Sequence, residues 1–338
     1  MPSFADDLRR FGPDAPVRVS RDEALAYCAA LTSSHYENFS VVTWLTPPHL
    51  VPAFQAIYAF CRWSDDLGDE VGDRARATEL LSWWRGELLA MQDGAPRHPV
   101  MIALRDVVEE FAIPITPFEA LISAFEQDQV ITDYDSYDQL LDYCTRSANP
   151  VGHLILYLGR VHTPENVQRA DATCTALQLA NFWQDVSRDL DIGRVYLPRE
   201  DRERFGYSDD DLHARRFTPA FARLLAFEVE RTRDLFRIGA PLADALPGRL
   251  AVDVELFTRG GLAILDRIEA QRFDVFRRRP TVGKLAKLGL LLRAVLARSL
   301  RSGKSPRNGL PTRAQAPHAD ADAVSSLNSS ADRSEARP

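Results

Sequence analysis

The sequence predicts an all-α fold organised as one large helical domain. Three observations predict it. Apolar residues recur at spacings of three and four along most of the chain, and alternating strand patterns are scarce. Hairpin signals are missing, because Asp93-Gly94 joins helical segments and Asn308-Gly309 lies in the tail. Thr-Pro pairs, a helix-start signature, recur at Thr46-Pro47, Thr116-Pro117, Thr163-Pro164 and Thr218-Pro219.

Taken in order, residues 1–19 read as a polar N-terminal arm. Residues 20–300 form the helical domain. Breaks at Pro47-Pro48, 94–99, 114–117, Thr163-Pro164, 193–198, Pro219, 241–248 and Pro280 leave nine or ten helices with short loops. No solenoid repeat is apparent. From residue 301 to 338 the chain is rich in Ser, Ala, Pro, Arg and Asp. Such a tail buries too little apolar surface to offset its ordering entropy and is expected to be disordered.

Composition narrows the function classes. The net charge of −7 argues against nucleic acid as the main partner. The four cysteines are widely spaced, which fits free thiols in a reducing compartment better than a disulfide framework. Met1 to Arg10 lacks the apolar core of a secretory signal, and no run of about 18 apolar residues announces a spanning helix. A cytoplasmic protein is expected.

Two acidic motifs carry the chemistry. Leu50, Phe54, Ile57, Tyr58 and Cys61 make one apolar helical stripe, and its continuation reaches Asp65 and Asp69. Carboxylates aimed at a core are costly unless a cation or hydrogen bonds compensate them. Two of them one helical turn apart suit a hard cation such as Mg²⁺, which combines one or two carboxylates with water and substrate phosphates. A solvated acidic helix end is the competing reading. The segment Leu177 to Leu190 likewise has two faces. Leu179, Trp183, Val186 and Leu190 are apolar, whereas Gln178, Asn181, Asp185 and Asp189 are polar. Two such carboxylate pairs can hold metal ions against a diphosphate from opposite walls. The Gly193-Arg194-Val195-Tyr196-Leu197-Pro198 segment follows, and its Arg either clamps a phosphate or caps the helix end.

Together these residues resemble the squalene/phytoene synthase family. The blocks are Tyr58 to Glu70, Tyr143-Cys144 with Ala148 to Gly152, Gln178 to Asp189, and Gly193 to Pro198, in family order and spacing across about residues 20–300. The resemblance implies the isoprenoid synthase fold, with a central cavity between helices and Mg²⁺ held by Asp65, Asp69, Asp185 and Asp189, supported by Asn181. It implies diphosphate or substrate contacts from Arg62, Gln178, Arg194 and Tyr196, cavity residues Tyr58 and Tyr143, and a substrate entrance at His35 and Phe39. It also implies a prenyl diphosphate as substrate.

The runs His35-Tyr36-Glu37-Asn38-Phe39 and Asn181-Phe182-Trp183-Gln184-Asp185 resemble one branch, the hydroxysqualene synthases of bacterial hopanoid synthesis. That branch takes presqualene diphosphate made by a partner enzyme, and a separate reductase completes squalene. Two positions depart from many family members: Gln184 replaces Arg, and Arg188 replaces an acidic residue. Both departures bear on condensation of two farnesyl units and leave diphosphate ionisation intact. In the implied reaction a cation forms in an apolar, aromatic-lined cavity, with Tyr58, Phe39, Phe182 and Trp183 as candidates to face it. Helical phase places Trp183 opposite Asp185, in the core. Water then captures the cation, oriented by His35, Tyr36 or Glu37, unless these only cap a helix. Residues 284–300, with leucines set between Lys284, Lys287, Arg293 and Arg298, read either as an interfacial helix for peripheral membrane contact or as a last core helix. A head-to-head prenyl transferase and a non-catalytic assembly factor are the alternatives. Retention of all four motif aspartates counts against the second.

Overall fold

The structure, a computed structural model, describes residues 3–34 and 46–283. His35, Tyr36, Glu37 and Phe39 lie outside the described residues, as do the 284–300 segment and the 301–338 tail. The described chain is all-helical. It contains no strand, only an isolated bridge between Asp133 and Val195.

The arm residues contribute α1 (Phe4–Phe11), closed by a capping box between Ser3 and Asp6. Its Phe4 ring meets Trp63 edge-on at 5.3 Å. Then come α2 (Arg21–Ser34), a 3₁₀ turn (Pro48–Leu50), α3 (Val51–Asp69), α4 (Arg74–Gln92), α5 (Pro99–Phe111), α6 (Thr116–Asp128), α7 (Tyr137–Ser147) and α8 (Asn149–Leu158). The second half holds α9 (Pro164–Asp191), α10 (Arg199–Phe205), α11 (Asp209–His213), α12 (Pro219–Gly239), α13 (Leu242–Ala245) and α14 (Gly248–Ala270). The described residues thus hold more helices than the nine or ten read from the sequence. The added ones include α10, α11 and α13, which are too short to show a periodicity. Of the four Thr-Pro pairs, Thr163 and Thr218 cap their helices through the hydroxyl. Thr116 falls inside α6, and the turn after Thr46 has no side-chain cap.

Two apolar clusters form the core. One gathers Phe60, Trp63, Trp84, Leu104 and Phe118 from α3 to α6. The other gathers Tyr143, Phe182, Trp183, Phe221 and Leu265 around α9. Buried indoles need a hydrogen-bond partner. Trp84 donates to Ser64 Oγ at 2.9 Å and Trp183 to Thr232 Oγ1 at 2.8 Å.

Helix α9 runs through the middle, packed on α8, α12 and α14. The register is fixed by close approaches. A Cβ on Gly239 would stand 2.1 Å from Thr173 Oγ1, and one on Gly261 would stand 2.3 Å from Phe236 and 2.9 Å from Leu177. With the Trp183–Thr232 bond, these contacts make α12 antiparallel to α9. Arg233 of α12 pairs with Asp266 and Glu269 of α14. Helix α14 is therefore antiparallel to α12 and parallel to α9.

One buried network predicts a pH dependence. Arg231 donates to both Glu228 oxygens and to Asp201 at 2.7 Å, and its guanidinium lies 3.5 Å above the Tyr137 ring. One cation thus serves two buried carboxylates. Desolvation, reinforced by Asp201 and opposed by Arg231, pushes the Glu228 carboxyl up to about 8. The folded chain then holds a proton that the unfolded chain releases near 4.5, so stability falls as pH rises from about 4.5 through about 8. Glu228→Gln is expected to flatten that fall in a series of thermal unfolding curves. An unchanged slope would reject the assignment.

Candidate active site

Both aspartate motifs sit at the C-terminal ends of their helices. That is where the helix dipole is negative and anions are disfavoured. Helix α3 ends at Asp69 with no basic residue in its last turn, and α9 ends at Asp191 with only Arg188. Each helix end therefore concentrates negative potential and calls for cations from elsewhere.

At the first motif the apolar stripe of α3 continues into Asp65, which lines one cavity with Phe54, Ile57, Tyr58 and Cys61, but not into Asp69. Asp65 is half-buried, Asp69 is exposed, and the buried carboxylate is Asp66, at 5% exposure. Arg62, one turn earlier on the same helix, is the motif's basic partner. Arg62 donates to Asp65 at 3.2 Å, Asp66 at 3.0 Å and Glu70 at 2.9 Å. Desolvation and the Asp69 charge push the Asp65 carboxyl up, against Arg62.

At the second motif the two faces of α9 separate as the periodicity predicts. Trp183 and Val186 are buried. Asp185 is also buried, held by two guanidinium nitrogens of Arg279, one of them at 2.8 Å. Arg279 also donates to Gln184 Oε1 at 3.2 Å, and the Gln184 amide donates to the Pro280 carbonyl. Gln184 thus docks a cation from the segment after α14 beside the place where many family members carry their own Arg. Asp189 differs, because its Oδ2 is buried without a hydrogen-bond partner. Desolvation and the Asp185 charge push its carboxyl up to about 7. Gln178 is half-buried and Asn181 exposed on the same helix.

Between the motifs lies Arg194. Gly193 takes the left-handed conformation, φ 74°, that turns the chain back after α9. Arg194 then donates to Asp69 Oδ1 at 2.8 Å. Its charge is also felt by Asp189 and by Asp128, the last residue of α6. Asp128 accepts from the Tyr143 hydroxyl at 2.9 Å, and burial lifts its carboxyl to about 6. Beneath Arg194 the aromatic rings stack: Tyr196 lies 3.7 Å from Phe182, nearly parallel, and Tyr134 lies 5.7 Å from Tyr196. Tyr143 and Phe182 belong to this stack and are absent from the described wall of the cavity.

That cavity has a volume of about 460 Å³. Arg62 and Asp65 line it together with Phe54, Tyr58, Leu154 and Leu177, and its wall is otherwise almost entirely apolar. A charged rim over an apolar chamber suits a substrate with an anionic head and a hydrocarbon body. Among the described residues no three His, Cys, Asp or Glu side chains converge tightly enough to cage a metal ion. The donor set is nonetheless all hard oxygen, with an orphaned buried oxygen on Asp189, and it fits Mg²⁺, which keeps waters and substrate phosphates as further ligands. Sequence reasoning missed Arg279 and Asp128. The Arg277-Arg278-Arg279-Pro280 run and the polar Gln127-Asp128-Gln129 helix end were the available signals.

The family model for squalene/phytoene synthase matches residues 32–286. The chain belongs to the squalene/phytoene synthase family. The family's enzymes are head-to-head prenyl diphosphate transferases, and the rim and chamber described above match that chemistry. A 15-cis-phytoene synthase of Synechocystis sp. is 34% identical over 304 residues, covering 85% of this chain and 90% of that protein. The crystal structure of squalene synthase HpnC from Alicyclobacillus acidocaldarius superposes with a TM-score of 0.72 at 44% identity, over 76% of this chain and 97% of that one. A dehydrosqualene synthase structure, 24% identical with a TM-score of 0.75, adds likeness of fold alone.

Proposed function

We propose that the protein is a hydroxysqualene synthase, converting presqualene diphosphate and water to hydroxysqualene and diphosphate. The observation that carries this reading is the 44% identity to squalene synthase HpnC over nearly the whole of that chain. Asp65, Asp69, Asp185 and Asp189, with Asn181, would hold Mg²⁺, which neutralises the leaving diphosphate when bound. Arg62 and Arg194 meet the diphosphate from the first motif and from the loop after α9. The guanidiniums present a charged rim even before substrate arrives, and their carboxylate pairs must loosen to admit it. The apolar chamber excludes bulk water, so the cation survives long enough to be captured by a single bound water.

The other reading is condensation of two allylic diphosphates, favoured by the 34% identity to a phytoene synthase. Purified full-length chain with Mg²⁺, given presqualene diphosphate and farnesyl diphosphate separately, distinguishes the two by mass spectrometry. An alcohol from the first substrate alone is expected. Condensed hydrocarbon from the second would overturn the proposal.

A further inference from the structure

The motif aspartates are not equally open to a cation. Asp65 accepts from Arg62 and Asp69 from Arg194, each on one oxygen. Asp189 keeps a buried oxygen without a partner. Asp185 differs from all three, because Arg279 covers both of its oxygens, with Nε on Oδ1 and Nη2 on Oδ2 at 2.8 Å. A two-point grip of this kind is the strong form of an arginine–carboxylate pair.

Gln184 fixes the grip. It is 8% exposed, and its side-chain amide is committed to the segment after α14. Its Oε1 accepts from Arg279 Nη2 at 3.2 Å, and its Nε2 donates to the Pro280 carbonyl. That segment leaves α14 through Arg272 and Phe273, both left-handed at φ 53° and 67°. Phe276 then packs on Phe221 at 4.5 Å, and Val275 is buried. The base of the segment is thus anchored in the core. Among the described residues, the Arg279 guanidinium is held by Gln184 and Asp185 alone. Rotation of the Arg279 side chain therefore frees Asp185 without moving a helix.

A divalent cation on Asp185 and Arg279 on Asp185 are in conflict. The guanidinium cannot shed its charge. An ion sharing that carboxylate meets the charge at contact range, in a partly buried place where repulsion is weakly screened. Arg188 is different, because it stands 3.8 Å from Asp185 but is 66% exposed and solvated.

We propose that Arg279 is a built-in counter-ion that competes with the divalent cation for Asp185, and that Gln184 is the positioning residue that holds it there. This rests on the cation-assisted reading of the site. The test is Mn²⁺ binding to the full chain, followed by the electron paramagnetic resonance signal of free Mn²⁺, so that no turnover is needed. Arg279→Gln is expected to tighten Mn²⁺ binding by about tenfold, the scale of removing one like charge at contact. Gln184→Leu changes no charge but unlatches Arg279, and it is expected to tighten binding by at least about threefold, a gain that general loss of packing does not produce. Arg188→Gln removes the same charge from solvent and is expected to stay within about twofold of wild type. Adding Asp185→Asn to Arg279→Gln is expected to abolish the gain, because the two residues act on one contact. Thermal unfolding checks that each variant folds, and the Gln184→Leu result decides if Arg279→Gln does not. Binding by neither wild type nor any variant rejects the cation-assisted reading together with this inference. Binding that neither Arg279→Gln nor Gln184→Leu tightens, an equal gain from Arg188→Gln, or a gain that survives Asp185→Asn rejects the inference alone. A gain from Arg279→Gln without one from Gln184→Leu overturns the role of Gln184.

Discussion

Asp189→Asn is expected to slow diphosphate release by about 10²- to 10³-fold, the usual consequence of removing one electrostatic contributor from an active site, while leaving the fold at least as stable. The two effects have one cause. Asp189 Oδ2 is buried with no hydrogen-bond partner, and its carboxyl is lifted to about 7 by desolvation and by Asp185. A carboxylate kept in that condition burdens the fold, so its neutral isostere relieves the strain of charge while removing a ligand for the cation. Asp185→Asn should differ. Asp185 is held by two nitrogens of Arg279, and the amide leaves that guanidinium without its carboxylate. Stability as well as activity is then lost. Diphosphate release assays paired with thermal unfolding measure both. A loss of stability in Asp189→Asn equal to that in Asp185→Asn would mean that the two aspartates share a structural role, and the assignment would fail.

That difference between neighbouring aspartates marks the limit of what periodicity can convey. The helical character of the chain was legible because burial on one face imposes its spacing on the sequence. The same logic separated Trp183 from Asp185 on α9. Periodicity reports which face is buried but not what lies opposite. Arg279 is 94 positions from Asp185, and Arg194 is 125 from Asp69, so neither pairing leaves a local trace. Periodicity also fades at the helix end. The stripe from Leu50 to Cys61 reaches Asp65 in the chamber wall, but Asp69 is exposed and the carboxylate that α3 buries most deeply is Asp66. Asp253 shows a third limit. Its place in Val252-Asp253-Val254-Glu255 suggests nothing beyond an ordinary charged helix, because the chamber it lines is assembled from α3, α6, α8, α9, α13 and α14. The negative helix ends, by contrast, were open to inspection in the sequence. Two acidic C-termini in one chain oppose their own dipoles, and each is met by an arginine from elsewhere: Arg194 at α3, Arg279 at α9.

Arg194→Ala tests that electrostatic balance most directly. Arg194 donates to Asp69, and its charge lowers the cost of ionising Asp128 and Asp189. Its removal is expected to lower kcat/KM by about 10²- to 10³-fold, because a preorganised cation at a developing diphosphate is lost. Arg194→Lys retains the charge without the planar fork and should fall between the two. Stability adds a second readout that loss of substrate contact alone does not move. The Asp128 carboxyl already stands at about 6 in the folded chain, above its ordinary 3.8, and without Arg194 it stands higher still. A carboxyl raised on folding costs stability as pH climbs from its unfolded value through its folded one. The stability deficit of Arg194→Ala should therefore be small near pH 4 and grow toward neutrality. Tyr143→Phe, which removes the hydroxyl that Asp128 accepts, should reproduce the growth with pH while changing kcat/KM far less. A deficit in Arg194→Ala that does not vary with pH would show that Asp128 does not depend on this arginine, and the guanidinium would then act on the substrate alone.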